Sequence, residues 1–85
     1  ANYDMFYTYV LRSIVDKKLY IGYSTDLKVR LSQHNNGLVE STKSRRPLKL
    51  IYYEACINKD KAIKREKYFK TGFGRKFLKD RRVYC

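Results

Sequence analysis

The first quarter of the chain alternates between two sets of strand-forming residues with the period of a β-strand. The segments MFYTYVLRS and KLYIGY both show this alternation and are separated by a short polar turn. We expect them to form a hairpin whose turn centres on Ile14 and Val15. That register sets Tyr9 directly opposite Tyr20, and a slip of one residue would undo the pairing.

The segment after this hairpin changes to the period of a helix. Ser24 or Thr25 suits the N-cap position, and Asn36-Gly37 is a typical left-handed stop, so a helix is predicted over about residues 26–35.

The inward face of this first helix carries two polar side chains. Positions i, i+3, i+4 and i+7 are occupied by Leu27, Arg30, Leu31 and His34. Removing an unpaired charge from water costs several kcal/mol, a large share of the stability of a small domain. Arg30 and His34 are therefore expected to have partners or a function.

A third strand follows a turn-rich segment. Pro47 marks the entry to LKLIYYEAC, in which Leu48, Leu50 and Tyr52 are expected to share one face.

Two helices are predicted after that strand, the first beginning at Asn58 or Lys59. Its inward stripe is Ala62, Ile63, Glu66 and Phe69. Arg65 and the neighbouring lysines fall on the rest of its surface. We expect Gly72 to end this helix. The residues expected to close the core from a short third helix are Phe73, Phe77 and Leu78.

The predicted order β-β-α-β-α-α indicates an α+β fold with a small three-stranded, mostly antiparallel sheet flanked by helices. With 85 residues, 44% hydrophobic content and no repeat or linker, residues 1–85 are expected to form a single domain. Cys56 and Cys85 are too few for a disulfide framework or a zinc site. No apolar run of about 18 residues and no signal-peptide pattern occurs, so we expect a soluble cytoplasmic protein without membrane contact.

Net charge indicates a polyanionic partner. The formal charge is +12 at pH 7, from 20 basic and 8 acidic side chains, and the basic excess concentrates in the second half of the sequence. A surface of this kind attracts nucleic acid. Charge alone does not separate a nucleic-acid-binding protein from an enzyme, and a solvated lysine-rich helix is the simpler alternative.

Several short strings together resemble the GIY-YIG nuclease superfamily. They are YTY at 7–9, YIG at 20–22, Arg30, His34 and AIKREK at 62–67. The resemblance covers roughly residues 5–80 and is strongest to small stand-alone bacterial-type members, which have no appended DNA-binding domain. Three differences are visible: the first motif reads YTY rather than GIY, although Tyr9 is kept, Tyr23 stands where the family often has lysine, and KTGFGRKFLKD lacks the asparagine that many members have after the metal-binding helix.

The resemblance implies a role for each matched residue. Tyr9 and Tyr20 would line the active site, Arg30 would contact the scissile phosphate, His34 matches a histidine that some members keep, and Glu66 would hold a single divalent metal ion. Gly22 would let the strand backbone pass close to the site.

The chemistry of phosphodiester cleavage fits these residue types. One carboxylate suffices for one hydrated Mg²⁺ or Mn²⁺ ion, which binds few protein ligands. Arg30 supplies a planar fork that matches phosphate. Tyr20 would orient the nucleophile. For the base, Tyr9 and metal-bound water both remain open, because a phenol with a reference pKa near 10 must be shifted to act at neutral pH; His34 is a further candidate as relay or base.

The function predicted is a metal-dependent endonuclease that acts as a monomer on DNA rather than RNA, with branched or damaged DNA and a role in DNA repair as candidates. The residues expected to contact nucleic acid are Lys43, Arg45, Arg46, Lys70, Arg75 and Lys76. One alternative is a non-catalytic nucleic-acid-binding protein on the same scaffold. A structural alternative pairs Arg30 with Glu66 in a salt bridge and lets His34 cap a backbone carbonyl.

Overall fold

Three antiparallel strands form a single sheet in the computed structural model of the chain, which describes residues 4–81. The strands are β1 (Phe6–Ser13), β2 (Leu19–Ser24) and β3 (Leu48–Cys56), in the spatial order β2-β1-β3. The helices are α1 (Leu27–Asn35), α2 (Lys59–Phe69) and α3 (Gly72–Asp80), and a 3-10 turn spans Lys43–Arg45. The element order confirms the predicted α+β fold class.

Helices cover both faces of the sheet. On one face α1 packs over a cluster built on Tyr9, Leu11 and Leu48. On the other face the helical residues Phe69 and Leu78 pack against the strands. This second cluster also contains Val10, Ile21, Ile51 and Tyr52. Because successive side chains of the central strand β1 point to opposite faces of the sheet, β1 contributes to both hydrophobic clusters.

The hairpin register differs from the prediction. Tyr9 pairs with Gly22, and Tyr20 pairs with Leu11, so the expected Tyr9–Tyr20 pair is wrong. The cause lies in the turn, where the Ser13 hydroxyl accepts hydrogen bonds from the Val15 and Asp16 amides and Lys17 adopts a left-handed φ of 62°. This turn centres one residue later than predicted. Because strand side chains repeat every two residues, the two tyrosines still share a face and become diagonal neighbours.

A β-bulge changes the facing pattern of β3. Val10 pairs with Tyr52 and Leu11 pairs with Leu50, which leaves Ile51 as an extra residue between them. The bulge sends Tyr52 to the face covered by α2 and α3. The prediction that Tyr52 shares a face with Leu48 and Leu50 is therefore wrong.

Capping residues fix the ends of the first two helices. Asp26, rather than Ser24 or Thr25, is the N-cap of α1, because its carboxylate accepts a hydrogen bond from the Val29 amide. Gly37 takes a φ of +77° just beyond α1, which confirms the predicted stop. Asn58 caps α2 in the same way as Asp26 caps α1.

The junction between α2 and α3 corrects two predictions. Gly72 does not end α2 but begins α3, after Thr71 as the N-cap. Phe73 is 80% exposed, whereas Phe77 and Leu78 pack in the core as expected. The reason is that Gly74, not Phe73, faces α2: a β-carbon there would collide with the α2 backbone.

Two further predictions concern cysteines and membranes. Cys56 is a half-buried free thiol at the end of β3, and Cys85 lies outside the described residues. Within residues 4–81, no helix is both long and apolar enough to cross a membrane.

Candidate active site

The Tyr9 hydroxyl is the hub of a buried polar cluster beneath α1. Tyr9 is only 1% exposed, and its oxygen lies 2.9 Å from His34 Nε2. Arg30 Nε donates to the same oxygen over 3.3 Å. Strand β1 thus presents Tyr9 to two residues that α1 positions one turn apart, as the helical stripe predicts.

His34 is neutral at neutral pH. It is fully buried, and burial together with the nearby Arg30 charge lowers the pKa of its imidazole to about 4. Its Nδ1 atom lies 2.7 Å from Thr42 Oγ1. A neutral imidazole donates through one nitrogen and accepts through the other, so each ring nitrogen has a partner of the required kind.

The hydrogen bonds form a chain with one direction. Arg30 can only donate, so the Tyr9 oxygen accepts from it. The histidine tautomer that leaves no member of the series unpaired has Tyr9 donating its proton to His34 Nε2. His34 Nδ1 then donates to Thr42, whose hydroxyl lies 3.5 Å from the Val39 carbonyl. Each side chain in this series of hydrogen bonds, from Arg30 through Tyr9 and His34 to Thr42, has a partner, which makes the arrangement rigid.

Tyr20, the tyrosine of the YIG string, packs against the same cluster. The ring of Tyr20 lies edge-on to His34, with 4.9 Å between centroids, and 6.4 Å from the ring of Tyr9. Tyr20 is half-buried and so reaches both the cluster and solvent.

Arg30 links the cluster to an open hollow. Its Nη1 atom donates to Gln33 over 3.2 Å, and the hydrogen bond to Tyr9 raises the pKa of the guanidinium, which therefore stays charged. The hollow is about 370 Å³ and is lined by Arg30, Gln33, Val29 and the residues that join β2 to α1. A phosphate entering this hollow would meet a fixed positive charge.

Burial raises the pKa of Tyr9 above its usual value. Burial is the largest cause, and the neighbouring acidic groups of Tyr20 and Glu66 add to it, while the hydrogen bond from Arg30 and its positive charge act in the opposite direction. The phenol is therefore the stable form at neutral pH. This opposes the phenolate that a Tyr9 base would need.

Glu66 lies on α2, and its charge makes a small contribution to the raised pKa of Tyr9. Its side chain is 23% exposed, and its one ion pair is a long 3.5 Å contact with the exposed Lys70. The alternative in which Arg30 and Glu66 form a salt bridge with each other is therefore wrong. Arg30 bonds to Tyr9 and Gln33, and Glu66 pairs with Lys70.

Glu66 is the candidate ligand for a divalent cation. Within residues 4–81, no group of three or more His, Cys, Asp or Glu side chains lies together, so a site rich in protein ligands is absent from that part of the chain. Mg²⁺ commonly binds through one or two carboxylates, several waters and a substrate phosphate. Glu66 is half-buried and makes a single long ion-pair contact with the exposed Lys70, which makes it the candidate carboxylate for such an ion.

Gly22 is required where β2 passes Tyr9. A β-carbon at this position would collide with the ring and hydroxyl of Tyr9. The glycine thus lets the phenol lie across the neighbouring strand and reach His34. The next residue, Tyr23, stacks on Phe6 with the rings 6.4 Å apart, and its buried hydroxyl has no hydrogen-bond partner among the described residues.

Most of the basic residues predicted to bind nucleic acid are exposed. They are Lys43, Arg46, Lys70, Arg75 and Lys76. Two of them have acidic neighbours on their own helix, Glu66 for Lys70 and Asp80 for Lys76.

Arg45 differs from the other predicted binding residues because its guanidinium bonds within the protein. It forms a 2.7 Å ion pair with Asp16 and donates to the carbonyls of Lys18 and Leu19. Its own carbonyl accepts from Ser13. Arg45 therefore fastens the 3-10 turn to the hairpin turn.

Sequence patterns missed Thr42 and Arg65. Thr42 is fully buried and bonds to His34, but it lies in an irregular segment without periodicity. Arg65 forms a two-pronged ion pair with Glu54 at 2.7 and 2.9 Å, and its guanidinium lies 4.6–4.9 Å from the centroids of three aromatic rings. The aromatic residues at i+3 and i+4, Tyr68 and Phe69, were the available signal for Arg65.

Comparisons with known proteins show the family of the chain and the proteins that it is similar to. A family model described as the GIY-YIG catalytic domain matches residues 5–79. A UPF0213 protein of Streptococcus pyogenes serotype M3 is 49% identical over 65 residues, which is 75% of this chain and 70% of that protein. A UPF0213 protein of Staphylococcus saprophyticus is 42% identical over 77 residues, covering 89% and 93% of the two chains. The solution NMR structure of a UPF0213 protein from Bacillus halodurans is similar, with a TM-score of 0.58, 27% identity, and coverage of 93% of this chain and 86% of that one.

Proposed function

Because the chain belongs to the GIY-YIG family of nuclease domains, we propose that it is an endonuclease that hydrolyses phosphodiester bonds in DNA with one divalent cation. The observation that carries the proposal is the Arg30 guanidinium, which is bonded to the buried Tyr9 hydroxyl at 3.3 Å and opens onto a solvent-filled hollow. Branched or damaged DNA is the proposed substrate.

In this proposal Arg30 binds the scissile phosphate. Its Nε and Nη1 atoms are held by Tyr9 and Gln33, which leaves other N–H groups of the fork free to donate to phosphate oxygens. A donor fixed before the reaction stabilises the charge that develops on those oxygens without having to reorganise.

Tyr9 and His34 act as positioning residues. Tyr9 is 1% exposed and carries a raised pKa, so it orients Arg30 rather than removing a proton from water. His34 holds the Tyr9 hydroxyl in the orientation that accepts from Arg30. Tyr20, which is half-buried beside them, orients the nucleophilic water through its hydroxyl.

Glu66 would hold the divalent cation, with Mg²⁺ or Mn²⁺ as the candidates. When bound, such a cation neutralises phosphate charge and acidifies the water that it holds. In this proposal the Glu66 carboxylate holds the cation for the phosphate that Arg30 binds, and its charge also contributes to the raised pKa of Tyr9. The exposed Lys70 competes with the cation only weakly, because its contact with Glu66 is long and screened by water.

The proposed nucleic-acid footprint consists of exposed basic residues. Lys43 begins the 3-10 turn and Arg46 follows it, whereas Lys70 follows α2 and Arg75 and Lys76 lie in the first half of α3. Contacts of this kind bind the phosphate backbone without reading sequence. A substrate would then be selected by its shape.

The test measures cleavage of labelled duplex, flap, junction and single-stranded DNA by the purified chain with Mg²⁺, with Mn²⁺ or with EDTA. Cleavage should require the metal, and Glu66→Gln and Arg30→Ala should each lower its rate by about 100-fold or more. Glu40→Gln is the matched control, since it removes one negative charge from an exposed side chain that takes no part in the proposed chemistry. Cleavage that persists in EDTA or in Glu66→Gln would overturn the proposal. Binding without cleavage would favour the non-catalytic alternative.

A further inference from the structure

A second hollow borders the other side of α1. It measures about 550 Å³, a size typical of ligand sites, and lies between α1 and the edge strand β3. Its main lining is apolar and aromatic, from Tyr7, Leu27, Leu31, Leu50 and Tyr53. We call this hollow the aromatic groove.

Two tyrosines give the aromatic groove flat surfaces that solvent can reach. The rings of Tyr7 and Tyr53 lie 6.2 Å apart at an interplanar angle of 58°. Tyr53 is 52% exposed although it lies in the middle of β3. An exposed ring in a strand, beside leucine side chains, is a surface on which another flat apolar group can stack.

The aromatic groove and the Arg30 hollow meet at the start of α1. Thr25 and Asp26 line both, and Lys28 stands at the rim of the aromatic groove. In the sheet, Tyr53 is also the register partner of Tyr9, the residue that holds Arg30. An elongated ligand that crosses the first turn of α1 would therefore contact both the aromatic groove and the Arg30 hollow. The Asp26 carboxylate is itself engaged by the Val29 amide at the positive end of that helix, which moderates its repulsion of phosphate.

We propose that the aromatic groove binds an unpaired nucleobase of a single-stranded nucleic-acid segment that extends from the phosphate held by Arg30. The proposal rests on the proposed function in taking nucleic acid as the substrate, and it narrows that substrate to one with unpaired bases. Every base offers a flat face, so stacking on tyrosine tolerates any sequence. Lys28 is placed to contact a phosphate of the same segment.

Charge favours this occupant over a second copy of the chain. Each copy carries a formal charge of +12, so two copies that meet at an apolar groove would repel each other. A nucleic-acid strand brings the opposite charge together with a flat apolar group. The groove and the surface around it thus favour the same partner.

The first experiment uses fluorescence, because the sequence contains no tryptophan. Tyr53→Trp places a single reporter in the groove, and Ile57→Trp places one at another exposed apolar position, 68% accessible, outside it. Both variants are titrated in EDTA with short single-stranded DNA, single-stranded RNA and blunt duplex DNA. Single strands should quench Tyr53→Trp emission strongly, duplex should quench it far less, and Ile57→Trp should change little. Equal quenching of the two reporters would overturn the proposal.

The second experiment measures affinity. Tyr53→Ala should weaken single-strand binding by roughly 5- to 100-fold, and Tyr53→Phe should stay within about twofold of wild type because stacking needs only the ring. The salt dependence of binding should not change, since no charge is removed. Phe73→Ala is the matched control, because it removes an aromatic ring that is 80% exposed on α3. An equal loss of duplex binding, or a dimer that Tyr53→Ala dissociates, would overturn the proposal.

The outcomes separate the groove from the nuclease proposal. Tyr53-dependent binding in a chain that cleaves no substrate would support the groove and remove the proposed activity. Cleavage that needs Arg30 and Glu66, combined with wild-type single-strand affinity in Tyr53→Ala, would remove the groove alone.

Discussion

The ring of Tyr9 lies across Gly22, its partner on the neighbouring strand, and leaves no room there for a β-carbon. Gly22→Ala should therefore lower the free energy of unfolding by about 1–3 kcal/mol and move the Tyr9 hydroxyl away from Arg30 and His34. Chemical denaturation measures the first effect, and the cleavage rate measures the second. Gly72→Ala is the matched control, because nothing lies within 4 Å of the β-carbon that it adds. Equal stability of the two variants would contradict the packing argument.

Removing the Tyr9 hydroxyl should lower the free energy of unfolding, although unlike Gly22→Ala it adds no atoms to the core. Tyr9→Phe leaves His34 Nε2 without its partner in a fully buried position, so we expect a loss of about 1–3 kcal/mol in unfolding free energy and a lower cleavage rate. Tyr53→Phe deletes an exposed hydroxyl and should change stability by less than about 0.5 kcal/mol. A Tyr9→Phe variant as stable as wild type would show that the hydroxyl chain is not a stabilising unit.

Periodicity predicted which residues face inward but not which residues they meet. The helical stripe placed Arg30 and His34 under α1, and both lie there. The partner of His34 on the far side, Thr42, comes from an irregular segment in which no repeat marks a buried position. Partners across the fold depend on loop geometry, which a local pattern does not encode.

The pairing between strands was also not predictable from the sequence pattern alone. The alternation of β1, β2 and β3 gave the strands, but the Lys17 turn moved the hairpin register and the Ile51 bulge rotated Tyr52 to the other face. Both are single-residue events that the alternation of strand residues does not mark. Arg65 is a similar case, since a basic helical residue packs inward only because Glu54 and aromatic rings receive it.

The stability of the protein should fall as the pH drops from about 7 to 5. The folded-state pKa of His34 is about 4, below the reference value of 6.5, so the unfolded chain binds more protons in this range. Protonation therefore favours unfolding, and the expected loss is about 2 kcal/mol. Asp16 and Glu54 have lowered pKa values as well, and they contribute mainly below this range.

Two measurements check the His34 prediction. His34 is the single histidine of the sequence, so its imidazole NMR signals report the titration directly and should show a pKa well below 6.5. In His34→Gln, the unfolding free energy should be lower at pH 7 but nearly constant down to pH 5. A normal imidazole pKa in the folded wild type would contradict the assignment of a neutral, buried ring.

Arg65 and Lys64 are adjacent basic residues with different predicted effects. Arg65 bonds to Glu54 through two atoms and lies against three aromatic rings, whereas Lys64 is exposed. Arg65→Ala should lower the unfolding free energy by about 2–3 kcal/mol, and Lys64→Ala by less than about 0.5 kcal/mol. Urea denaturation of the two variants, which lose the same charge, makes the comparison. Similar small losses would mean that the Glu54 ion pair and the ring contacts add little.

Arg45 and Lys43 provide the last contrast, between a structural and a nucleic-acid-binding cation on the same 3-10 turn. Arg45→Ala breaks the ion pair to Asp16 and two hydrogen bonds to hairpin carbonyls, so it should reduce stability by about 1–2 kcal/mol and leave the salt dependence of DNA binding nearly unchanged. Lys43→Ala should do the opposite: it keeps stability and lowers the slope of log affinity against log salt by about one. Both quantities come from denaturation curves and from binding isotherms at several salt concentrations. If Arg45→Ala instead lowered the slope of log affinity against log salt and left stability unchanged, Arg45 would be a nucleic-acid-binding residue. Its bonds to the hairpin would then be too weak to prevent it from contacting phosphate.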